Sequence, residues 1–325
     1  MGSQLDMFAH RAAPEEEAGE SLPVKRRSSR PVIVSHEDMA RNLEDSGQYR
    51  ILRKLVAREV VAIRRPEFSH VGVILDTETT GLNHRSNEII EIGAIAFSFD
   101  DLGNIGDILG VYGGLRQPQD AIPEEITRLT GITDAMVSGQ TIDMRLLGDL
   151  VAPAELIIAH NAGFDRPFCE AFDDVFASKA WACSVNEVDW RSRGFEGTKL
   201  GYLVGQAGYF HDGHRAVDDC FALLEVLDRR VAGTGEPAFA ELFRASQKSR
   251  VRIWAENSPF DMKHHLKARG YRWSDGSDGR PKSWWTEIDE DALADELHYL
   301  RSEIYRWGEA DPPVQRLTAF DRFKA

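Results

Sequence analysis

Residues 71–75 read VGVIL, a run without a polar side chain that ends on two carboxylates one residue apart, Asp76 and Glu78. So short an apolar run, closed by the turn residues TTGL, reads as a buried strand. Two more follow directly, IIEIGAIAF at 89–97 and ILGVYGGL at 108–115. Three strands in succession predict a meander rather than a βαβ start. Helices are expected around IPEEITRLTG and DMRLLGDLV, then a short strand LIIAH, a helix near FDRPFCEAF, a WACSV segment, and helices in TKLGYLVGQAG and AVDDCFALLEVLDRRV. The expected fold class is α/β, a mixed sheet flanked by helices over residues 70–235, ending at GTGEP.

Before this domain, residues 1–35 form a tail rich in Ala, Glu, Ser, Pro and Arg, expected to be disordered. A helical lead-in is expected over 36–69, carrying Met39, Leu43, Ile51, Leu52 and Leu55. After it, a small α+β module spans 250–307 and a polar tail covers 308–325. No apolar run approaches the ~20 residues that cross a bilayer, so no membrane association is expected. The N-terminus has no apolar signal core, and the three cysteines (Cys169, Cys183, Cys220) are widely spaced without a CxxC pair. Both features point to a reducing, cytoplasmic setting rather than a disulfide framework or a zinc ribbon.

On a strand, residues i and i+2 share a face, so Asp76 and Glu78 project together. Side by side they repel, and burial raises the cost. A pair of divalent cations, Mg²⁺ or Mn²⁺, would reverse that repulsion, because hard cations take oxygen ligands. Further ligands are candidates in Asp165, within HNAGFD, and Asp219, within HRAVDD, where Asp218 is an alternative on the residues alone. His214, five residues before Asp219, has the pKa range suited to taking a proton from an attacking water.

The segments DTETTG, HNAGFD and HRAVDD, in this order, resemble the three motifs of the DnaQ-like 3′–5′ exonucleases, a family that includes the epsilon proofreading subunit of bacterial DNA polymerase III. LTGITDAMV at 129–137 is similar as well, and the histidine matches the HxAxxD form of the third motif. The resemblance implies an RNase H-like fold, two metals held by Asp76, Glu78, Asp165 and Asp219, and His214 as general base. It favours Asp219 over Asp218. By the same resemblance Thr79 and Thr80 line the pocket for the 3′ nucleotide, Leu82 wedges against the terminal base, and His160 and Asn161 sit beside the scissile phosphate. The implied activity is release of nucleotides from 3′ ends of single-stranded DNA, in proofreading or repair. An exoribonuclease of the same superfamily is the enzymatic alternative, since the five catalytic residues do not distinguish the sugar. A replisome accessory protein with minor nuclease activity is the alternative from another class.

The overall charge is −14, unlike most nucleic-acid binders, yet Glu241–Trp285 holds ten Lys or Arg against five acids. Four of the seven tryptophans, Trp254, Trp273, Trp284 and Trp285, fall in the same stretch. Cations interleaved with aromatic faces suit single strands, and a small packed core with a solvated surface accounts for the same composition. Residues 4–8, QLDMF, place Gln4, Leu5, Met7 and Phe8 in an otherwise polar tail. They resemble the pentapeptide by which bacterial replication and repair proteins dock on the sliding clamp. QRLTAF at 315–320 is a weaker likeness, with Thr318 at an apolar position. The expected partners are nucleic acid and the clamp, with a DNA polymerase as a further candidate.

Overall fold

The computed structural model describes residues 35–230, 235–277 and 279–324. The chain separates into two compact units, Met1–Ile51 and Leu52–Ala325. The described part of the first is the helix His36–Asp45 and the turn after it. Ser35 starts the helix through a reciprocal cap, its Oγ accepting from Asp38 N at 3.0 Å while Asp38 Oδ2 accepts from Ser35 N at 3.4 Å. Gln4, Leu5, Met7 and Phe8 lie outside the described residues.

The lead-in expected to be helical over 36–69 is helical only at His36–Asp45. In the second unit Arg53–Lys54 pairs in parallel with Tyr209–Phe210. Arg53 N donates to Gly208 O at 3.0 Å and Leu55 N to Phe210 O at 2.8 Å. These bonds hold the chain extended, so Leu52 and Leu55 belong to no helix face.

The sheet of the second unit is built from β1 (His70–Thr79), β2 (Ile89–Phe99), β3 (Ile105–Leu115), β4 (Leu156–Ala159) and β5 (Trp181–Cys183). Strands β1 to β3 form an antiparallel meander, and β4 and β5 add in parallel beyond β1. The order β3-β2-β1-β4-β5, with helices on both faces, is an RNase H-like mixed sheet. Val71, Val73, Leu75 and Ile92 pack with Leu147 and Phe168 on one face. Ile74, Ile95 and Phe97 pack with Cys220 and Leu224 on the other. Coverage of both faces is the reason the strands read as almost continuous apolar runs.

Two helices carry site residues, α1 (Ala162–Phe172) and α2 (Ala216–Asp228). Gly93 of β2 stands opposite Asp76 of β1. A Cβ at Gly93 would lie 2.4 Å from the carbonyl carbon of Ala216 and 2.5 Å from Val217 N. Glycine therefore lets the first turn of α2 sit directly on the strand, next to Asp76.

A further helix, α3 (Ala238–Gln247), follows the point where the domain was expected to end. Phe239 and Phe243 meet Phe99 edge-on at 5.0 and 4.9 Å, so α3 is part of the core of the larger domain. The module then forms its own antiparallel sheet from β6 (Arg250–Ala255), β7 (Arg272–Trp273), β8 (Trp284–Asp289) and β9 (Val314–Leu317), in the order β9-β6-β8-β7. Its core holds Ile253, Leu266, Tyr271, Leu300 and Ile304. Trp254 is buried and Trp284 packs against this core, whereas Trp273 is half exposed.

The tail expected over 308–325 contributes β9 and then docks on the larger domain. Trp181 N, on the edge strand β5, donates to Ala319 O at 2.8 Å. Arg166, fully buried, donates to the carbonyls of Ala319 (3.1 Å), Phe320 (2.7 Å) and Arg322 (2.7 Å). Arg322 pairs with Glu187 inside the protein. The QRLTAF segment is thus occupied by sheet pairing and docking. Among the described residues, no helix is long and apolar enough to cross a membrane.

Candidate active site

Asp76 and Glu78 leave the same face at the end of β1, where a bulge between Glu78 and Thr79 releases the chain into the TTGL turn. The first turn of α2, seated on Gly93, brings Asp219 to them. One carboxylate oxygen from each of Asp76, Glu78 and Asp219 lies within 4.8 Å of the others. Asp218 is exposed and stands outside this group.

Asp165 comes from the first turn of α1 and is buried. Its Oδ1 accepts from Thr77 N at 3.1 Å and Thr77 Oγ1 at 2.8 Å, so β1 tethers it from between the other two carboxylates. It is near enough for its charge to act on Asp76. The structure therefore gathers three of the four expected ligands and holds the fourth beside them.

The electrostatics follow from this crowding. Burial, then the charges of Asp165, Asp219 and Glu78, push the Asp76 carboxyl well above the usual carboxylate range. Burial together with Asp219, Glu91 and Asp165 pushes Glu78 up to about 8. Burial also raises Asp165, against the two Thr77 hydrogen bonds. At Asp76 and Glu78 burial and the neighbouring charges favour the protonated form over the ionised one. An all-oxygen donor set with this repulsion fits hard divalent cations, and Asp76, Glu78, Asp219 and the adjacent Asp165 would hold them.

Asp219 is oriented by two groups. His211 Nε2 lies 2.7 Å from its Oδ1, and His214 N donates to its Oδ2 at 2.8 Å. His214 has φ +63°, a left-handed conformation uncommon for a residue with a side chain, fixed here by that backbone bond. It is exposed and lines the same cleft as the carboxylates. His211 is absent from the sequence expectation, and its only signal is its place in HDGH, on the loop that enters α2. A second unexpected group is Glu91, opposite Glu78 on β2. Buried Glu91 takes Arg215 through contacts of 2.9 to 3.2 Å and accepts from Ala216 N at 3.1 Å, which anchors the start of α2.

The cleft above the carboxylates has a volume of about 700 Å³ and apolar walls that include Leu129, Phe164 and Leu200. Of the expected substrate residues, Thr79, Leu82 and His160 line it. Leu82 stands on the rim, 87% exposed. Thr80 does not reach the cleft; its Oγ1 accepts from Glu88 N at 3.0 Å and closes the turn. His160 lies with Nδ1 2.7 Å from Ser184 Oγ and Nε2 2.7 Å from the Thr198 carbonyl. A carbonyl only accepts, so Nε2 carries a proton, and burial lowers the pKa of this ring. Asn161, left-handed at φ +82° ahead of α1, faces a separate cavity instead.

A family model described as "Exonuclease" matches residues 73–227. A Mycobacterium tuberculosis protein named as a bifunctional exonuclease/endonuclease is 34% identical over 189 residues, which are 52% of this chain and 28% of that protein. DNA polymerase III subunit epsilon of Treponema pallidum is 31% identical over 168 residues, 48% of this chain and 74% of the subunit. Among solved structures, exonuclease X in complex with 5′ overhanging duplex DNA overlays with a TM-score of 0.37 at 23% identity, covering 54% of this chain and 99% of that one. The chain thus spans about a quarter of the first relative and three-quarters of the second.

Proposed function

The chain belongs to the exonuclease family, and from that premise we propose that it is a metal-dependent 3′–5′ exonuclease acting on single-stranded DNA ends in proofreading or repair. The observation that carries this reading is the triad Asp76, Glu78 and Asp219, within 4.8 Å, with Asp165 beside it beneath an open cleft. Two divalent ions, Mg²⁺ or Mn²⁺, held by these four residues would supply Lewis-acid stabilisation of the attacking and leaving oxygens. His214, exposed on the cleft wall, takes the proton of the attacking water at its imidazole. The Asp219 carboxylate fixes the His214 backbone and so sets where that imidazole stands. Thr79 and the apolar rim at Leu82 seat the terminal nucleotide, and Thr80 holds their turn in shape.

The proposed partners are DNA 3′ ends, the sliding clamp through Gln4, Leu5, Met7 and Phe8, and a DNA polymerase, the last supported by likeness to an epsilon subunit. Cys169, Cys183 and Cys220 are buried and unbridged, in keeping with work in a reducing cytoplasm. The test is degradation of matched DNA and RNA oligonucleotides labelled at the 5′ end, with Mg²⁺ or with EDTA, by wild type and Asp76→Ala. A ladder shortening from the 3′ end on DNA, absent with EDTA and in the variant, is expected. Shortening from the 5′ end, or full activity in Asp76→Ala, overturns the reading; preference for RNA moves it to the exoribonuclease.

A further inference from the structure

A second cavity, of about 520 Å³, opens where the module meets the nuclease. On the nuclease side it is lined by Asn161, Gly163 and Phe164, at the N-terminal end of the 11-residue helix α1. Phe164 also lines the cleft above the carboxylates, so the two spaces adjoin across one side chain. The other walls come from β6, β7, β8, the loop joining β7 to β8 and the docked tail, and they supply Arg250, Arg252, Arg272, Arg280, Arg322 and Lys324. Among the described residues Glu287 is the one acid of the lining, and it is paired with Arg252. Arg322 is paired with Glu187, and Arg250 Nε stands 3.7 Å from Asp289. Arg272 and Lys324 have no carboxylate within 4.0 Å among the described residues, so a cation excess survives the local pairing in a chain whose total charge is −14.

The arrangement is more than a solvated basic face. The ring of Trp285, half-buried in the wall, has the guanidinium carbons of Arg252, Arg272 and Arg280 at 5.1, 5.6 and 5.8 Å from its centre. Arg250 Nε and Arg322 Nε are buried without a hydrogen-bond partner among the described residues. Arg272 is exposed and has no carboxylate within 4.0 Å among the described residues. The start of α1 adds the partial positive charge of its backbone N–H groups.

We propose that this cavity is a second strand-binding site, holding the backbone phosphates of the single strand upstream of the nucleotide seated in the cleft. The proposal rests on the exonuclease reading for the identity of the strand, and it assigns the module a role: substrate length is read where the module joins the nuclease. A mononucleotide or very short end fills only the acidic cleft. A longer strand continues past Phe164 into the arginine-lined space, where the phosphates pair with cations and the Trp285 face borders the bases.

The test uses the full chain in two measurements. Binding of 5′-labelled single-stranded DNA of several lengths is followed by anisotropy in EDTA across a salt series, for wild type, Arg272→Ala and the double variant Arg272→Glu, Lys324→Glu. Cleavage of the same lengths is followed with Mg²⁺. Each lost phosphate contact removes about 0.7 from the slope of log affinity against log salt, so the double variant should lose about 1.4 and Arg272→Ala about half as much. Binding of long strands should weaken tenfold or more, while cleavage of the shortest substrates keeps its kcat/KM. Equal slopes in all three proteins overturn the site, even if wild type cleaves DNA from the 3′ end. Equal losses on the shortest and longest substrates also overturn it, because the substitutions would then act on the cleft. A wild type that binds long strands with the expected slope but cleaves nothing sinks the exonuclease reading and leaves the site standing.

Discussion

Replacing Glu78 by glutamine should remove a pH dependence of stability that the metal-free protein carries. The Glu78 carboxyl is raised from 4.5 to about 8 by burial and by Asp219, Glu91 and Asp165. Below about 4.5 both folded and unfolded chains hold this proton. Between that value and about 8 the unfolded chain has released it while the folded chain keeps it, so stability falls as pH rises through this window and levels off above it. At 1.36 kcal/mol per pKa unit the full separation corresponds to roughly 5 kcal/mol. Glu78 borders an open cleft, and solvent screening reduces the expected loss to roughly 2–3 kcal/mol. A unit of this size shifts its melting temperature by about 2 °C per kcal/mol, so Glu78→Gln should melt about 4–6 °C above wild type near pH 9 in EDTA. Near pH 4.5 the two should nearly coincide. Excess Mg²⁺ should reverse the order at high pH, because the cation stabilises whichever folded state holds it more tightly. Calorimetry across pH, with and without EDTA, is the assay. A wild-type-to-variant difference that is the same at both ends of the pH range in EDTA would refute the crowding argument.

Two further outcomes are expected. His214→Ala should bind Mn²⁺ as wild type does, followed by calorimetric titration, yet lose about 10²–10⁴-fold in single-turnover rate, as expected for a missing general base; an unchanged rate would move that role elsewhere. Titration of purified sliding clamp should show binding by wild type and none by a Gln4→Ala, Phe8→Ala double variant, and equal binding by both would remove the tail motif from the account.

The architecture was largely legible because it rests on local signals. Strands such as 71–75 and 89–97 are short, apolar and bounded by turn residues, and covering both faces of a sheet is what produces such runs. Asp76 and Glu78 could be read as a pair because strand alternation puts them on one face, whereas Asp219 is singled out from Asp218 only by the resemblance to the family motif. The features that the sequence does not display depend on distant partners. Leu52 and Leu55 are spaced as on a helix, but pairing with residues 208–210 overrides that local pattern. Asn161 turns toward the module because a left-handed residue reverses the chain ahead of α1, and nothing in HNAGFD displays that angle. Glu91 sits inside an apolar strand and gains its purpose only when Arg215 arrives from 124 residues away.

The docked tail bears on how the protein folds. Arg166 meets the Arg322 carbonyl across 156 residues of sequence, and the Trp181 N–H on the edge strand is closed by Ala319. Loop closure over such a span is entropically late, and contacts of this range slow folding. Until the tail arrives, Arg166 is a cation next to the core with three of its acceptors missing. The tail covers Arg166 and supplies its acceptors together, so detaching it returns the guanidinium to water and forfeits about 1.5–3 kcal/mol for each hydrogen bond of the charged group. The larger domain and the module, distinct in sequence and each with its own sheet, are thereby coupled through the tail, and the residue next to Asp165 reaches its final surroundings only when the far end of the fold has closed over it.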